Sequence, residues 1–352
     1  LQSEGATANS TPIPVIFGLA GLEIESAETP DWATSLSNDD VLLACRYASH
    51  ELNGFPLWFP KLFEAHPEIV GEFLLNEIKW EIASEKPGEE THYLLSDLRW
   101  SGHWAWERLA SPLLEVLKAA SVQDLLNLEK LLAIVMAGAK IADSELADLA
   151  KFKAHSAKSL DEAAIWFAVW VGVEPEAAIP SAASHLASIA EPSIQTQFAM
   201  TFVTTLVGER RSRSDVVRRR FMTGAHLKVL YLLMQKYVRT DDDIDRSGEG
   251  AYSPTLRDDA QDARNALYGL LRTIPGKEAF IALNEIAALN PSRPWLADYA
   301  RGRAEEDADF TAWSPSQVRD FHDSLDRTPD NHHELANLAV MRFLDLKDDL
   351  EH

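Results

Sequence analysis

Residues 159–173, with the sequence SLDEAAIWFAVWVGV, combine a helix start signal with an apolar segment. Ser159 and Glu162 have the spacing of a capping box, in which two side chains satisfy backbone N–H groups at the start of a helix. Residues 163–173 are apolar, but they are fewer than the roughly 18 residues that a membrane-spanning helix needs. The stretch therefore predicts a capped helix, and no membrane partner is expected.

The same arrangement recurs along the chain from residue 39 onward, and no segment has the alternation of a strand. One helix is predicted to start at Asp39 or Asp40, because apolar residues with helical spacing follow. Its stripe consists of Val41, Ala44, Cys45, Ala48 and Leu52. Further helix starts are predicted at Pro67, at Ser111-Pro112, at residues 121–124 and at Thr255.

Helices of about 10 to 18 residues joined by short loops favour antiparallel neighbours. Repeated along most of the chain, they predict an all-α protein with an irregular α-solenoid of the HEAT or armadillo type. No strict sequence repeat is found, so two packed helical bundles stay open as an alternative.

The sequence predicts three regions. Residues 1–38 are rich in Ser, Thr, Ala and Pro and lack sustained periodicity, which indicates a partly ordered leader or linker. Residues 39–208 and 209–352 are predicted to be the two halves of one continuous superhelix. The first residues lack both Met and the layout of a secretory signal, which favours a piece of a longer protein.

Charge and cysteine content narrow the function classes. The formal charge of −22 means that the surface repels polyanions, so nucleic acid is not expected as a partner of the chain as a whole. Cys45 is the only cysteine, which excludes an intrachain disulfide and a cysteine-based zinc cage. A single cysteine fits a reducing compartment, and we expect a cytoplasmic protein.

An acidic run offers one chemical hypothesis. Asp241, Asp242 and Asp245 have the Asp-Asp-x-x-Asp spacing with which all-helical terpene synthases hold magnesium against a diphosphate. Carboxylates at i and i+4 share one helix face. The second metal motif of those enzymes is not found downstream, so the favoured prediction is that the aspartates end a helix and begin a loop. A magnesium-dependent enzyme is the alternative.

A basic run offers a second hypothesis. It contains Arg210, Arg211, Arg213, Arg218, Arg219 and Arg220. Such a run suits phosphate or an acidic face of a partner protein. It lacks interleaved aromatic residues apart from Phe221, so a solvated face or internal ion pairing is the favoured prediction.

Aromatic residues and histidines form further groups. Trp58 and Trp104 belong to aromatic clusters that anchor either a partner interface or the packing between helices, and packing is favoured. A shared metal site is not favoured for His322, His332 and His333. The adjacent His332 and His333 would point about 100° apart on a helix and could not readily bind the same ion.

Nucleotide-binding and hydrolytic signatures are missing from the sequence. It has no Walker-type glycine loop, no Gly-x-Ser-x-Gly, no His-Glu-x-x-His and no cysteine placed with a histidine. An autonomous enzyme is therefore not expected, and no cofactor is predicted.

Three segments together resemble a known kind of protein. They are residues 46–58 (RYASHELNGFPLW) with residues 66–68, residues 252–264 (YSPTLRDDAQDAR) with Pro275-Gly276, and residues 313–350. They resemble helical-repeat regions of large bacterial NACHT-type (STAND) NTPases, many of which are linked to antiphage defence. In that family the nucleotide site lies in a separate upstream module.

The resemblance implies a sensor or scaffold that binds a protein partner and restrains or releases the NTPase of the same longer chain. It implies neither catalysis nor a cofactor for these residues. The expected partner is therefore a protein, either a separate one or another part of the same chain.

Overall fold

The computed structural model describes residues 11, 13–51, 54–85, 94–208, 214–274, 277–291, 293 and 295–296. It confirms the predicted all-α fold, because these residues form packed neighbouring helices and no strand. A 3₁₀ turn lies at Thr240–Asp242. The helices are α1 (Ile13–Glu28), α2 (Trp32–Ser35), α3 (Asn38–Ala48), α4 (Phe59–Ala65), α5 (Pro67–Ala83), α6 (Leu94–Ser101), α7 (His103–Ala119), α8 (Leu125–Ala137), α9 (Asp143–Ser156), α10 (Leu160–Val173), α11 (Pro175–Ser188), α12 (Pro192–Val207), α13 (Gly224–Tyr237), α14 (Leu256–Thr273) and α15 (Lys277–Leu289).

The chain divides into two compact units. The first reaches Phe221 and also takes in Leu233–Ala266, so it continues past residue 208, the predicted division. The second takes in Met222–Leu232 and the described residues from Leu267 onward. In the second unit Lys228 pairs with Glu285 at 2.5 Å, and Tyr231 lies 5.6 Å from Tyr268 between ring centroids.

Helix α10 is buried on all of its faces from Glu162 to Val173. It packs against α9, α11 and α12. Phe167 lies 6.1 Å from Trp170 and 5.9 Å from Phe198 between ring centroids, in the range of favourable aromatic contacts. A helix without a polar face requires apolar surfaces on every side, so α10 organises the surrounding helices.

The predicted capping signal of α10 is confirmed. The Ser159 side chain accepts a hydrogen bond from the Glu162 N–H at 3.1 Å. The Glu162 carboxylate in turn accepts one from the Lys158 N–H at 3.0 Å. Ser159 therefore satisfies an N–H group of the first turn that has no intrahelical partner. Glu162 bonds the residue before the cap, whereas the reciprocal bond of a capping box would come from the Ser159 N–H.

Two predicted helix starts are wrong. Helix α3 is capped by Ser37, which accepts from the Asp40 N–H at 3.3 Å, so the cap precedes both proposed aspartates. Helix α7 runs through Pro112 and does not begin there. Leu109 and Leu113 are buried on either side of this proline, and their packing outweighs the one backbone hydrogen bond that a proline removes.

Helix α1 occupies part of the region predicted as a leader. Its side chains divide into two apolar faces, and no residue of the helix is fully buried. One face is partly covered and is formed by Val15, Gly18, Leu19 and Leu22. Gly18 is placed against α3, since an added Cβ would lie 2.8 Å from the Tyr47 ring. The opposite face is exposed.

His185 of α11 lies in an aromatic environment inside the first unit. Its ring centroid is 5.0 Å from those of both Phe167 and Phe198, and its Nε2 is buried without a hydrogen-bond partner. Burial, with a smaller contribution from His155, lowers the pKa of His185 below its ordinary value. The folded protein therefore favours the neutral imidazole.

We expect His185→Phe to reduce the loss of stability on acidification. The unfolded chain takes up a proton near the ordinary pKa of about 6.5, whereas the folded chain does so at lower pH, so acid favours unfolding of the wild type. Phenylalanine keeps a ring and does not titrate. Urea midpoints between about pH 7 and pH 5 measure the effect. Parallel curves for the two proteins would contradict the prediction.

Candidate functional site

Residues 214–221, defined here as the arginine segment, contain the described part of the basic run and cross the C-terminal end of α10. The anchors of this segment are the buried side chains of Val216, Val217 and Phe221. The crossing is close because Gly172 lacks a side chain, and a Cβ there would lie 2.6 Å from the Arg218 carbonyl oxygen. The Arg220 N–H donates to the Gly172 carbonyl at 3.0 Å. Gly172 therefore fixes the backbone position from which Arg218 extends.

Arg218 reaches the C-terminal end of α8. Its guanidinium donates at 2.8 Å to the carbonyl oxygens of both Gly138 and Ile141, and at 3.4 Å to that of Met136. It also forms an ion pair with Asp143 at the start of α9. Carbonyls at a helix end lack intrahelical partners and carry partial negative charge. Arg218 therefore joins the segment, the end of α8 and the start of α9.

The other arginines of the run have different surroundings. Arg220 also pairs with Asp143, whereas the Arg219 side chain is exposed. Arg210, Arg211 and Arg213 lie outside the described residues. Burial raises the pKa of Asp143, but hydrogen bonds from Arg218 and Arg220 outweigh it and hold that pKa below its ordinary value. Two of the three described arginines thus make ion pairs within the chain.

We expect Arg218→Ala to lower the free energy of unfolding by about 2–3 kcal/mol, since it leaves carbonyl oxygens and a carboxylate without their charged donor. Arg219→Ala is the matched control and changes stability by less than about 0.5 kcal/mol, because the side chain is exposed. Urea denaturation measures both. Equal stability of the two variants would show that the Arg218 contacts do not hold in solution.

The acidic run is placed at the end of α13. A 3₁₀ turn covers Thr240–Asp242, and the backbone becomes extended at Asp243, so Asp241 and Asp245 do not share a helix face. Asp241 pairs with Arg239 at 3.1 Å, and Asp242 lies 3.9 Å from the same guanidinium. The magnesium-dependent enzyme needs these carboxylates on one helix face, and the structure does not place them there.

Asp245 is bound locally. Its carboxylate accepts hydrogen bonds from the Ser247 hydroxyl at 2.5 Å and from the Ser247 N–H at 2.8 Å, which lower its pKa. Among the described side chains, no group of three His, Cys, Asp or Glu residues is arranged to hold a metal ion. His322, His332 and His333 lie outside those residues.

One aspartate of the run that the metal hypothesis did not use has a structural role. Asp243 accepts two hydrogen bonds from Arg264, at 2.6 and 3.0 Å, and one from Arg257 at 3.2 Å. Arg264 is only 1% exposed and also donates to the Val238 carbonyl at 2.8 Å. The fork of the guanidinium thus matches a carboxylate and a helix-end carbonyl together.

We expect Asp243→Ala to destabilise the protein by about 3 kcal/mol or more, because it leaves the buried charge of Arg264 without its counter-ion. Asp242→Ala serves as the control, since its carboxylate is 57% exposed and makes only a long ion pair. Its expected cost is at most about 0.5 kcal/mol. Thermal unfolding of both variants tests the difference, and similar midpoints would contradict it.

The start of α14 is held by a neighbouring group. Thr255 and Asp258 form a capping pair, in which the Asp258 carboxylate accepts from the Thr255 N–H at 2.8 Å. Arg246 binds the same carboxylate with two hydrogen bonds of 2.9 Å. Arg246 and Thr255 hold the pKa of Asp258 well below its usual range. The predicted cap at Thr255 is confirmed.

The predicted aromatic residues fall into different environments. Trp58 is buried 5.5 Å from Trp32 and 5.8 Å from Phe59 between ring centroids, so it belongs to the core. Trp104 is half-buried, and its ring packs 5.0 Å from Phe63. The remaining surface of Trp104 faces a cleft. Of the two tryptophans, only Trp104 therefore has surface that a partner could contact.

This cleft, the α5–α7 cleft, has a volume of about 640 Å³. Its apolar lining is formed by Phe63, Leu75, Trp104, Leu109 and Pro112. Its charged lining is formed by Glu68, Glu72, Glu107, Arg108 and Lys140. Glu68 pairs with Arg108, and Glu107 lies 3.8 Å from Lys140. The cleft therefore combines an apolar surface with exposed charges.

Gly71 of α5 lines this cleft and was not identified from the sequence. A Cβ at this position would meet only the Arg108 side chain, at 3.7 Å and 3.9 Å, which is ordinary contact. Gly71 itself is buried, so a methyl group there is tolerated next to Arg108. A signal was present in the sequence, since a glycine interrupts a helical stripe between Val70 and Leu74, but the depression it forms depends on α7.

The described helices define an all-α protein of packed helix pairs, and none of them is both long and apolar enough to cross a membrane. Comparisons with protein-family models, curated proteins and solved structures found no match to this chain.

Proposed function

We propose that this chain is a non-catalytic helical-repeat module that binds a protein segment in the α5–α7 cleft. In this proposal the module is a cytoplasmic sensor or scaffold of a longer bacterial chain, and its binding state regulates a NACHT-type NTPase in that chain. The observation that carries the binding function is the α5–α7 cleft, where Trp104 and Leu75 lie beside five charged side chains.

The lining of the cleft indicates the chemistry of the partner. Three glutamates face one arginine and one lysine, and the whole chain carries a charge of −22. A basic segment is therefore attracted, whereas nucleic acid is repelled. The volume of the cleft accommodates apolar side chains against Trp104. The favoured partner segment thus has an aromatic or aliphatic residue flanked by Lys or Arg.

The charged pairs of the cleft do not prevent binding. Glu68 is 77% exposed and Lys140 is 82% exposed, so the pairs they form are screened by water and contribute little to stability. A basic partner segment can replace either cation at small cost. Affinity then comes chiefly from the apolar contact with the aromatic lining.

The Gly71→Trp variant tests the site directly, because Gly71 lines the cleft and an indole there competes with a bound side chain for its volume. Since Gly71 is buried, circular dichroism and the thermal midpoint must first show that the variant keeps the wild-type fold. Gly71→Ala is the matched control, since it adds one methyl group in ordinary contact and favours the helix by about 1 kcal/mol. A peptide library selected on the wild-type chain should yield apolar-basic peptides. We expect those peptides to bind the Ala variant normally and the Trp variant at least about tenfold more weakly.

Two results would count against this site. One is a failure of the library to yield any saturable peptide, and the other is equal binding of selected peptides to the wild type and Gly71→Trp. The NTPase part is tested separately by the complete open reading frame of the gene. An upstream Gly-x-x-x-x-Gly-Lys-Ser/Thr would support it, and a full reading frame without a nucleotide-binding module would refute it.

A further inference from the structure

The exposed face of α1 is apolar from Ile13 to Ile24. Ile13, Ile16, Phe17 and Ile24 are 69, 55, 74 and 59% exposed. Ala20 is exposed between them, and an added Cβ at Gly21 would meet nothing within 4 Å. These positions follow the i, i+3, i+4, i+7 spacing of a single helix face, which is defined here as the α1 face. The α1 face contains Ile13, Ile16, Phe17, Ala20, Gly21 and Ile24.

The positions of the α1 face are symmetric about the peptide bond between Gly18 and Leu19. Counting outward from that bond, Phe17 is matched by Ala20, Ile16 by Gly21, and Ile13 by Ile24. In an antiparallel pair of identical helices related by a two-fold axis, these matched positions face each other. Two large side chains of each copy then meet the two smallest of the other, and an isoleucine meets an isoleucine at each end.

Charge selects the antiparallel orientation. Glu23, Glu25 and Glu28 are exposed near the C-terminal end of α1, and the helix has no basic residue in its last turn. In a parallel pair these carboxylates would approach their own copies and repel. In an antiparallel pair they lie near the N-terminal turn of the other helix, whose N–H groups carry partial positive charge.

We propose that two copies of this chain associate through their α1 faces as an antiparallel, two-fold symmetric helix pair. The Phe17 side chain of each copy packs against Ala20 of the other, and the Ile16 side chain packs in the depression at Gly21. The opposite face of α1, with Gly18 on the Tyr47 ring, keeps each helix on its own chain. This association is independent of the α5–α7 cleft.

The size of the α1 face sets the strength of the dimer. A single 16-residue helix buries less surface than the roughly 1,200 Å² in total at which stable interfaces begin. The dimer is therefore weak, and its population depends on protein concentration. Association of this kind suits a module that becomes dimeric when several copies are brought together.

Sedimentation velocity of the complete chain at about 1 to 100 μM tests the proposal. We expect the wild type to shift from monomer towards dimer, and Phe17→Glu to stay monomeric at every concentration. Since no residue of α1 is buried, circular dichroism and the thermal midpoint should be unchanged in this variant. Phe152→Glu on α9, at a position 66% exposed, is the matched control and should dimerise as the wild type does.

Disulfide trapping tests the orientation. Ile13→Cys chains mixed with Ile24→Cys chains should form mixed dimers under mild oxidation, with few dimers of either variant alone. Native Cys45 does not compete, because it is buried and its burial raises the pKa of the thiol to about 12. Prevailing Ile13→Cys self-dimers would indicate parallel pairing and overturn the proposal.

The Gly21→Phe variant distinguishes shape complementarity from non-specific apolar association. Gly21→Phe adds apolar surface, so it would strengthen non-specific association, but it fills the depression that Ile16 of the other copy needs. We expect it to weaken dimerisation at least about tenfold. A wild type that stays monomeric throughout the concentration range, or a Gly21→Phe variant that dimerises more strongly, would overturn the proposal.

Discussion

The burial of α10 on every side is the constraint on which the first unit depends. Because this helix has no polar face, α9, α11 and α12 must each present an apolar surface to it. The chain also crosses the end of α10 at Gly172, where only a glycine permits the approach of the Arg218 backbone. Around α10 the polar contacts therefore lie at the helix ends. These contacts hold the loops that connect successive helices.

Arginine side chains satisfy several of these ends. Arg218 binds carbonyl oxygens after α8, Arg264 binds the Val238 carbonyl after α13, and Arg257 donates to the Arg239 carbonyl. A helix leaves its last carbonyls without partners, and a guanidinium with five N–H groups can serve more than one of them while pairing with a carboxylate. In an acidic chain, arginines placed in this way hold the loops and are withdrawn from any external ligand.

The sequence predicted the helical class and several caps because those depend on neighbouring residues. Ser159 with Glu162 and Thr255 with Asp258 act within one turn, so spacing alone reveals them. The Arg218 contacts join residues about eighty positions apart, and nothing local marks them. Pro112 was misjudged for the same reason, since its helix is held by packing. In α1, apolar residues lie on two opposite faces, so the sequence lacks the alternation of apolar and polar residues with helical period that predicts a helix.

An unusual group of residues has a different meaning according to whether contacts within the chain satisfy it. The aspartates of residues 241–245 are unusual as a sequence, yet the protein itself provides donors to Asp241, Asp243 and Asp245. The exposed apolar face of α1 is unusual in the structure, because its four largest side chains are more than half exposed while the opposite face packs on the chain. A departure that the fold already satisfies explains stability, whereas one that it leaves unsatisfied points to a second molecule. For this reason α1 carries more information about association than any charged motif in the sequence.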